Sequence, residues 1–201
     1  MSDADIDLAL TAILFSAVGT AGQRCTSTRR LYLQRSIAPQ LLQKLSDAYG
    51  CVPIGDPLDP ATLVGPLHTP AAVSLYERAI NDTKRSGGEV LTGGNVYTHP
   101  SSHLRGGNFV LPTIVLPNAS PVMTAKHKEL VKKIWEQETF APILKVALFD
   151  ELEEAIAMNN AVPQGLSSCL WSTDARNLGK WIGPAGSDCG IVNVRLVYLP
   201  R

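Results

Sequence analysis

Apolar residues recur at helical spacing near the start of the chain, where Ile6, Leu10, Ile13, Leu14 and Ala17 fall on one face. Ser2 or Asp3 stands where an N-cap belongs, and Gly19 and Gly22 punctuate the end of the run. Leu31-Tyr32-Leu33 reads as a short strand. A second helix opens at Ser36 with the stripe Ile37, Leu41, Leu42, Leu45 and Ala48. The Pro- and Asp-rich stretch from Pro53 to Pro70 is too broken for a regular element. Val73, Tyr76, Ile80 and Thr83 mark a third helix that stops at Gly87-Gly88. Strands are predicted over 89–92 and over 109–115, the latter interrupted by Pro112 and so expected at an edge or a bend. Between them, 93–108 reads as a glycine-, histidine- and serine-rich surface loop. The charged run 126–137 reads as a solvated helix. A β-rich segment over 143–149 follows, and Asp150 with Glu153 makes a capping box for a helix over 151–159. A strand over 167–171, a short helix over 175–181 and a strand over 191–194 complete the alternation. Strands alternating with amphipathic helices predict an α/β layered domain with a largely parallel sheet.

Composition narrows what such a domain can do. The chain has 201 residues, 18 Lys+Arg against 18 Asp+Glu and a formal net charge of zero, with pI ≈ 6.9. Neither nucleic acid nor an anionic membrane surface suits a chain without a basic excess. No apolar run reaches the roughly 18–20 residues that a membrane span needs. The acidic start M-S-D-A-D-I-D is the reverse of a basic leader, which points to the cytoplasm, with mitochondria as the other option. The four cysteines (Cys25, Cys51, Cys169, Cys189) and four histidines show no metal-ligand spacing. No G-x-G-x-x-G or G-x-x-x-x-G-K-[ST] phosphate cradle is present.

One cysteine stands apart. In Gly19-Thr20-Ala21-Gly22-Gln23-Arg24-Cys25-Thr26, a thiol follows a helix in a glycine-rich turn, where the backbone can approach a ligand closely. Arg24 beside it is the kind of positive neighbour that favours a thiolate. A carbonyl is the natural target, with the cysteine's own N–H able to face the oxyanion. Taken alone, the segment fits a nucleophile and a buried packing cysteine equally well. Cys51, Cys169 and Cys189 lack such surroundings and read as packing residues.

The run V-G-T-A-G-Q-R-C-T-S-T-R-R (Val18 to Arg30) resembles the nucleophile segment of aldehyde dehydrogenases, and more narrowly of family 7, the α-aminoadipic semialdehyde dehydrogenases. Three further segments agree in order: Gly65-Pro66-Leu67-His68-Thr69, Glu138-Thr139-Phe140-Ala141-Pro142-Ile143, and Gly186-Ser187-Asp188-Cys189-Gly190-Ile191-Val192-Asn193-Val194. The resemblance implies that Cys25 attacks an aldehyde, that hydride passes to NAD, and that a thioester is then hydrolysed. It implies that Glu138 binds the nicotinamide ribose hydroxyls, that Phe140 lies beside the nicotinamide, and that Arg24 and Thr26 line the aldehyde pocket. It also implies the family's layered catalytic domain and homo-oligomeric assembly, with a small-molecule aldehyde, no nucleic acid and no membrane as partners, and a place in lysine catabolism.

Family members are much longer. The resemblance places the dinucleotide-binding domain, an oxyanion-hole amide and the water-activating glutamate before Met1, and the substrate-anchoring loop after Val194. The chain therefore reads as a truncated catalytic domain over 1–195 with an unmatched tail over 196–201, and with 126–137 as an insertion ahead of Glu138. Two other readings stay open: an impaired product that associates with full-length subunits, and a cofactor-independent thiol acyltransferase or esterase.

Overall fold

The computed structural model describes residues 1–117 and 125–195, so the tail expected over 196–201 lies outside the described residues. Helix α1 (Ile6–Val18) is followed by a short 3-10 turn over Gly19–Gly22, then β1 (Arg30–Gln34), α2 (Ala38–Gly50) and α3 (Pro70–Arg85). Next come β2 (Glu89–Thr92), β3 (Thr113–Leu116), α4 (Ala125–Glu136), β4 (Ile143–Phe149), α5 (Leu152–Asn160), β5 (Ser167–Trp171), α6 (Ala175–Ile182) and β6 (Ile191–Arg195). The four-stranded sheet has the order β1-β4-β3-β2, and β5 and β6 form a second, two-stranded sheet. Every strand pair is parallel except β2–β3. The α/β architecture with a mostly parallel sheet and flanking helices is the one expected.

The stripes read from the sequence are the faces that pack. Ile13 and Ala17 of α1, Leu41 and Leu45 of α2, and Tyr76 and Ile80 of α3 are buried in one core with Ile114, Leu144 and Val146 of the sheet. Each large apolar side chain so buried contributes roughly 1.5–3 kcal/mol. A second core gathers Phe149, Leu152, Ala155, Leu170 and Trp181 beneath the small sheet.

Four local expectations are corrected. The N-cap of α1 is Asp5, whose carboxylate accepts from Asp7 N and Leu8 N. Asp3 instead reaches across the chain, its Oδ2 accepting from Ser172 Oγ (2.7 Å), Thr173 N (2.8 Å) and Asp174 N (3.0 Å). The side chain that reaches back to Asp150 N is Glu154, not Glu153, because α5 starts at Leu152. Pro112 precedes β3 and removes no ladder bond, so β3 sits between β4 and β2 rather than at an edge. Helix α4 is not simply solvated, since it packs on α3 with Val131 and Ile134 buried. Among the described residues, no helix is long and apolar enough to cross a membrane.

Candidate active site

The turn that presents Cys25 is left-handed through three consecutive residues: Thr20 (φ 57°), Ala21 (φ 53°) and Gly22 (φ 68°). Non-glycine residues rarely hold this conformation, and a β-branched threonine least of all. Gly22 is required for a second reason: a Cβ there would lie 2.5 Å from the Ala141 carbonyl oxygen. The turn that presents Cys25 is thus seated on the Glu138–Ile143 segment. Gln23 seats it on the Gly65–Thr69 segment as well. Its Oε1 accepts from His68 N (3.0 Å), and its Nε2 donates to Pro66 O (3.2 Å). Three segments far apart in sequence converge on one loop.

Cys25 is exposed. With Thr26 and Glu138 it lines a cavity of about 500 Å³, whose wall also includes Ile13, Cys169, Trp181 and Cys189. Arg24 and Phe140 do not line it. The Arg24 guanidinium lies over the Phe15 ring (4.9 Å) and its Nε donates to Thr20 Oγ1 (2.8 Å). Cys51 and Cys169, expected to be packing residues, are exposed. Cys51 is the C-cap of α2, and Cys169, beside buried Leu170 on β5, is exposed to the cavity it lines. Among the described residues, no group of His, Cys, Asp and Glu is arranged to hold a metal ion.

Sequence reasoning missed Arg29, which joins the parts. Its Nε donates to Glu138 Oε1 (2.8 Å), its Nη1 to Gly22 O (3.0 Å) and its Nη2 to Arg24 O (3.0 Å). Its guanidinium also stacks over the Phe140 ring at 4.8 Å, where Phe140 has φ 54°. The available signal was the Arg29-Arg30 pair inside the quoted run, two adjacent cations that, with Arg24, have no acidic neighbour in it. Arg30 holds Trp135 O and Gln164 Oε1. Lys145, 4% exposed, donates from Nζ to Ile134 O (2.5 Å) and Gln137 O (2.6 Å), so three cations hold the segment that delivers Glu138. Burial, reinforced by Arg30 and Arg29, brings Lys145 down to about 7.

The aldehyde dehydrogenase family model matches residues 1–197. The chain is 49% identical over 196 residues to aldehyde dehydrogenase family 7 member A1 of Pisum sativum, covering 98% of this chain and 35% of that one. It is 46% identical over 196 residues to mouse α-aminoadipic semialdehyde dehydrogenase, covering 96% of this chain and 33% of that one. Among solved structures, betaine aldehyde dehydrogenase from Staphylococcus aureus in complex with NAD+ superposes with a TM-score of 0.82 at 25% identity, over 98% of this chain and 36% of that one. The HpcC structure from Thermus thermophilus gives a TM-score of 0.83 at 28% identity, covering 99% and 36%. The chain therefore spans about a third of the length of the curated relatives it matches.

Proposed function

The chain belongs to the aldehyde dehydrogenase family, and on that premise we propose that it forms the thiol-bearing part of an NAD-dependent oxidation of α-aminoadipic semialdehyde or a closely similar aldehyde. The observation that carries this reading is that one cavity wall contains Cys25, Thr26 and Glu138, residues 113 positions apart at their extremes by chain number.

Cys25 is the nucleophile. Its exposed thiol gives up the S–H proton to solvent, the thiolate sulfur adds to the aldehyde carbon to form the C–S bond, and the carbonyl π electrons move to oxygen. The Cys25 main-chain N–H is assigned to meet the charge that develops on that oxygen. Glu138 fits the nicotinamide ribose. Its Oε1 is fixed by Arg29, while the side chain stays 41% exposed and keeps acceptor capacity for hydroxyl donors. Phe140 is assigned to the nicotinamide end on the strength of its neighbour Glu138 and of the similarity to the NAD+-bound relative. When bound there, NAD supplies the hydride acceptor that aldehyde oxidation requires. Thr26 lines the aldehyde side of the cavity. Arg24 is assigned to carboxylate selection by the family resemblance, and its present bond to Thr20 leaves the other guanidinium nitrogens available. Relatives bearing the α-aminoadipic semialdehyde name support the substrate.

The test is NADH formation from α-aminoadipic semialdehyde by the chain, alone and mixed with the remaining N-terminal part of a family 7 relative. The reading expects NADH absorbance that Cys25→Ser lowers at least about a hundredfold. NADH production that is insensitive to Cys25→Ser overturns it.

A further inference from the structure

We infer that Arg29 is a positioning residue that couples the Glu138 carboxylate to the presentation of the Cys25 thiol. The inference rests on the reading of Cys25 as the nucleophile, and goes beyond it by assigning a part to Arg29, which lines the same cavity as Cys25 and Glu138.

The geometry is that of a clamp. Arg29 carries five N–H donors in a rigid planar fork. Two of its nitrogens hold the carbonyls of Gly22 and Arg24, which bracket the residues leading into Cys25. The third holds Glu138 Oε1, 109 residues away in sequence. The flat face lies over Phe140. The Arg29 side chain is only 10% exposed, so these bonds form where water competes weakly. Among its partners Glu138, at 41%, is the exposed one, whereas Gly22 is buried and Arg24 and Phe140 are half-buried.

Two consequences follow from that arrangement. First, the nucleophile turn holds three left-handed residues in succession, two of them not glycine, and a strained turn persists only when its surroundings over-determine it. The two carbonyl bonds from Arg29 are such a restraint. Second, the guanidinium plane cannot rotate toward Glu138 without turning away from the loop carbonyls. A change in the charge or position of Glu138 therefore reaches the Cys25 loop through Arg29. Lysine cannot substitute, because a point-charge ammonium does not present three donors in one plane.

Site-resolved iodoacetamide alkylation of Cys25, followed by mass spectrometry, tests the coupling without any cofactor, and so separately from the oxidation chemistry. The chain is compared with Glu138→Gln, Glu138→Asp, Arg29→Lys and the double variant Arg29→Lys/Glu138→Gln, each checked by urea unfolding. The expected result is that Glu138→Gln changes the Cys25 rate by about threefold or more, and that Glu138→Asp restores most of it. Arg29→Lys should change the rate similarly, and the double variant should go no further than either single one. Cys51, exposed on the far end of α2, serves as the internal control and should be unmoved. Effects that multiply in the double variant, or a Cys25 rate indifferent to Glu138→Gln, overturn the inference. Since Glu138 is partly exposed, its variants fold even if those of Arg29 do not.

Discussion

Lys145 shows how far a single side chain can set the behaviour of its neighbourhood. It is an amine inside a strand, with its head bonded to the last carbonyls around the end of α4. Burial first, then Arg30 and Arg29, lower its proton affinity to about 7, while Glu138 works in the other direction. In the unfolded chain the amine titrates near ~10.4. Between about 7 and ~10.4 the unfolded state therefore binds more protons than the folded one, and stability rises with pH, at most ~1.4 kcal/mol per unit. The contribution is complete above the unfolded value and is lost as pH falls through the folded one. Urea unfolding of the chain and of Lys145→Met across that range checks this. The stability of the chain minus that of the variant should climb with pH, whereas parallel curves would mean that Lys145 does not titrate there. Sequence alone gave no hint of Lys145: within a β-rich run it reads as an outward-facing charge, and only the docking of α4 makes it interior.

Among the elements, the Gly19–Gly22 turn is the one whose sequence and conformation are most tightly bound. Glycine at position 22 meets two demands, a φ of 68° and a close approach to the Ala141 carbonyl. An alanine in the left-handed region costs roughly 1–2 kcal/mol before any clash is counted. The opposing atom is backbone and cannot swing aside. Gly22→Ala should therefore lower stability by at least about 2 kcal/mol in urea unfolding and alter Cys25 alkylation. A loss of only a few tenths would show that the seat is looser than this geometry. The glycine signal was legible as a turn, and Cys25 as its passenger. The helix cap was less so. Ser2, Asp3 and Asp5 all have the chemistry of an N-cap, and choosing among them required knowing that Asp3 is taken by residues 172–174. Asp5→Ala should cost about 1 kcal/mol and Ser2→Ala much less, as judged from the same unfolding curves. Pro112 carries the same lesson in a strand: the residue is a true breaker, yet it falls one position before β3 and leaves that strand central.

At the scale of the whole molecule, the two sheets meet across the cavity that contains Cys25, joined by apolar packing in which Phe149 of β4 and Tyr32 of β1 share a cluster with Leu170 of β5 and Val192 and Val194 of β6, and by a set of polar ties. Arg30 of β1 bonds Gln164 just ahead of β5, and the Met1 ammonium donates to Trp171 O. The densest link is Asp3. Burial alone would push its carboxyl up, but the hydrogen bonds from Ser172 and Thr173 outweigh it and hold the group below its ordinary value. The order of elements was legible from periodicity, because each stripe is a local pattern. The division into two sheets was not, since nothing in the spacing says that β5 and β6 pair with each other and leave β1 uncovered on that side. Asp3 is thus a fastener between a large, well-packed unit and a smaller one whose buried apolar residues, Leu152, Ala155, Leu170 and Trp181, cluster with Phe149 of β4. Asp3→Ala removes the acceptor of Ser172, Thr173 and Asp174 together. Amide exchange over 167–195 should then accelerate about tenfold or more, while β1 and β4, at the centre of the larger core, keep their protection. Hydrogen exchange read by mass spectrometry separates the two outcomes. Uniform acceleration throughout would show a single cooperative unit. Selective acceleration of the small sheet would show that the far wall of the Cys25 cavity opens independently of the wall that holds the thiol.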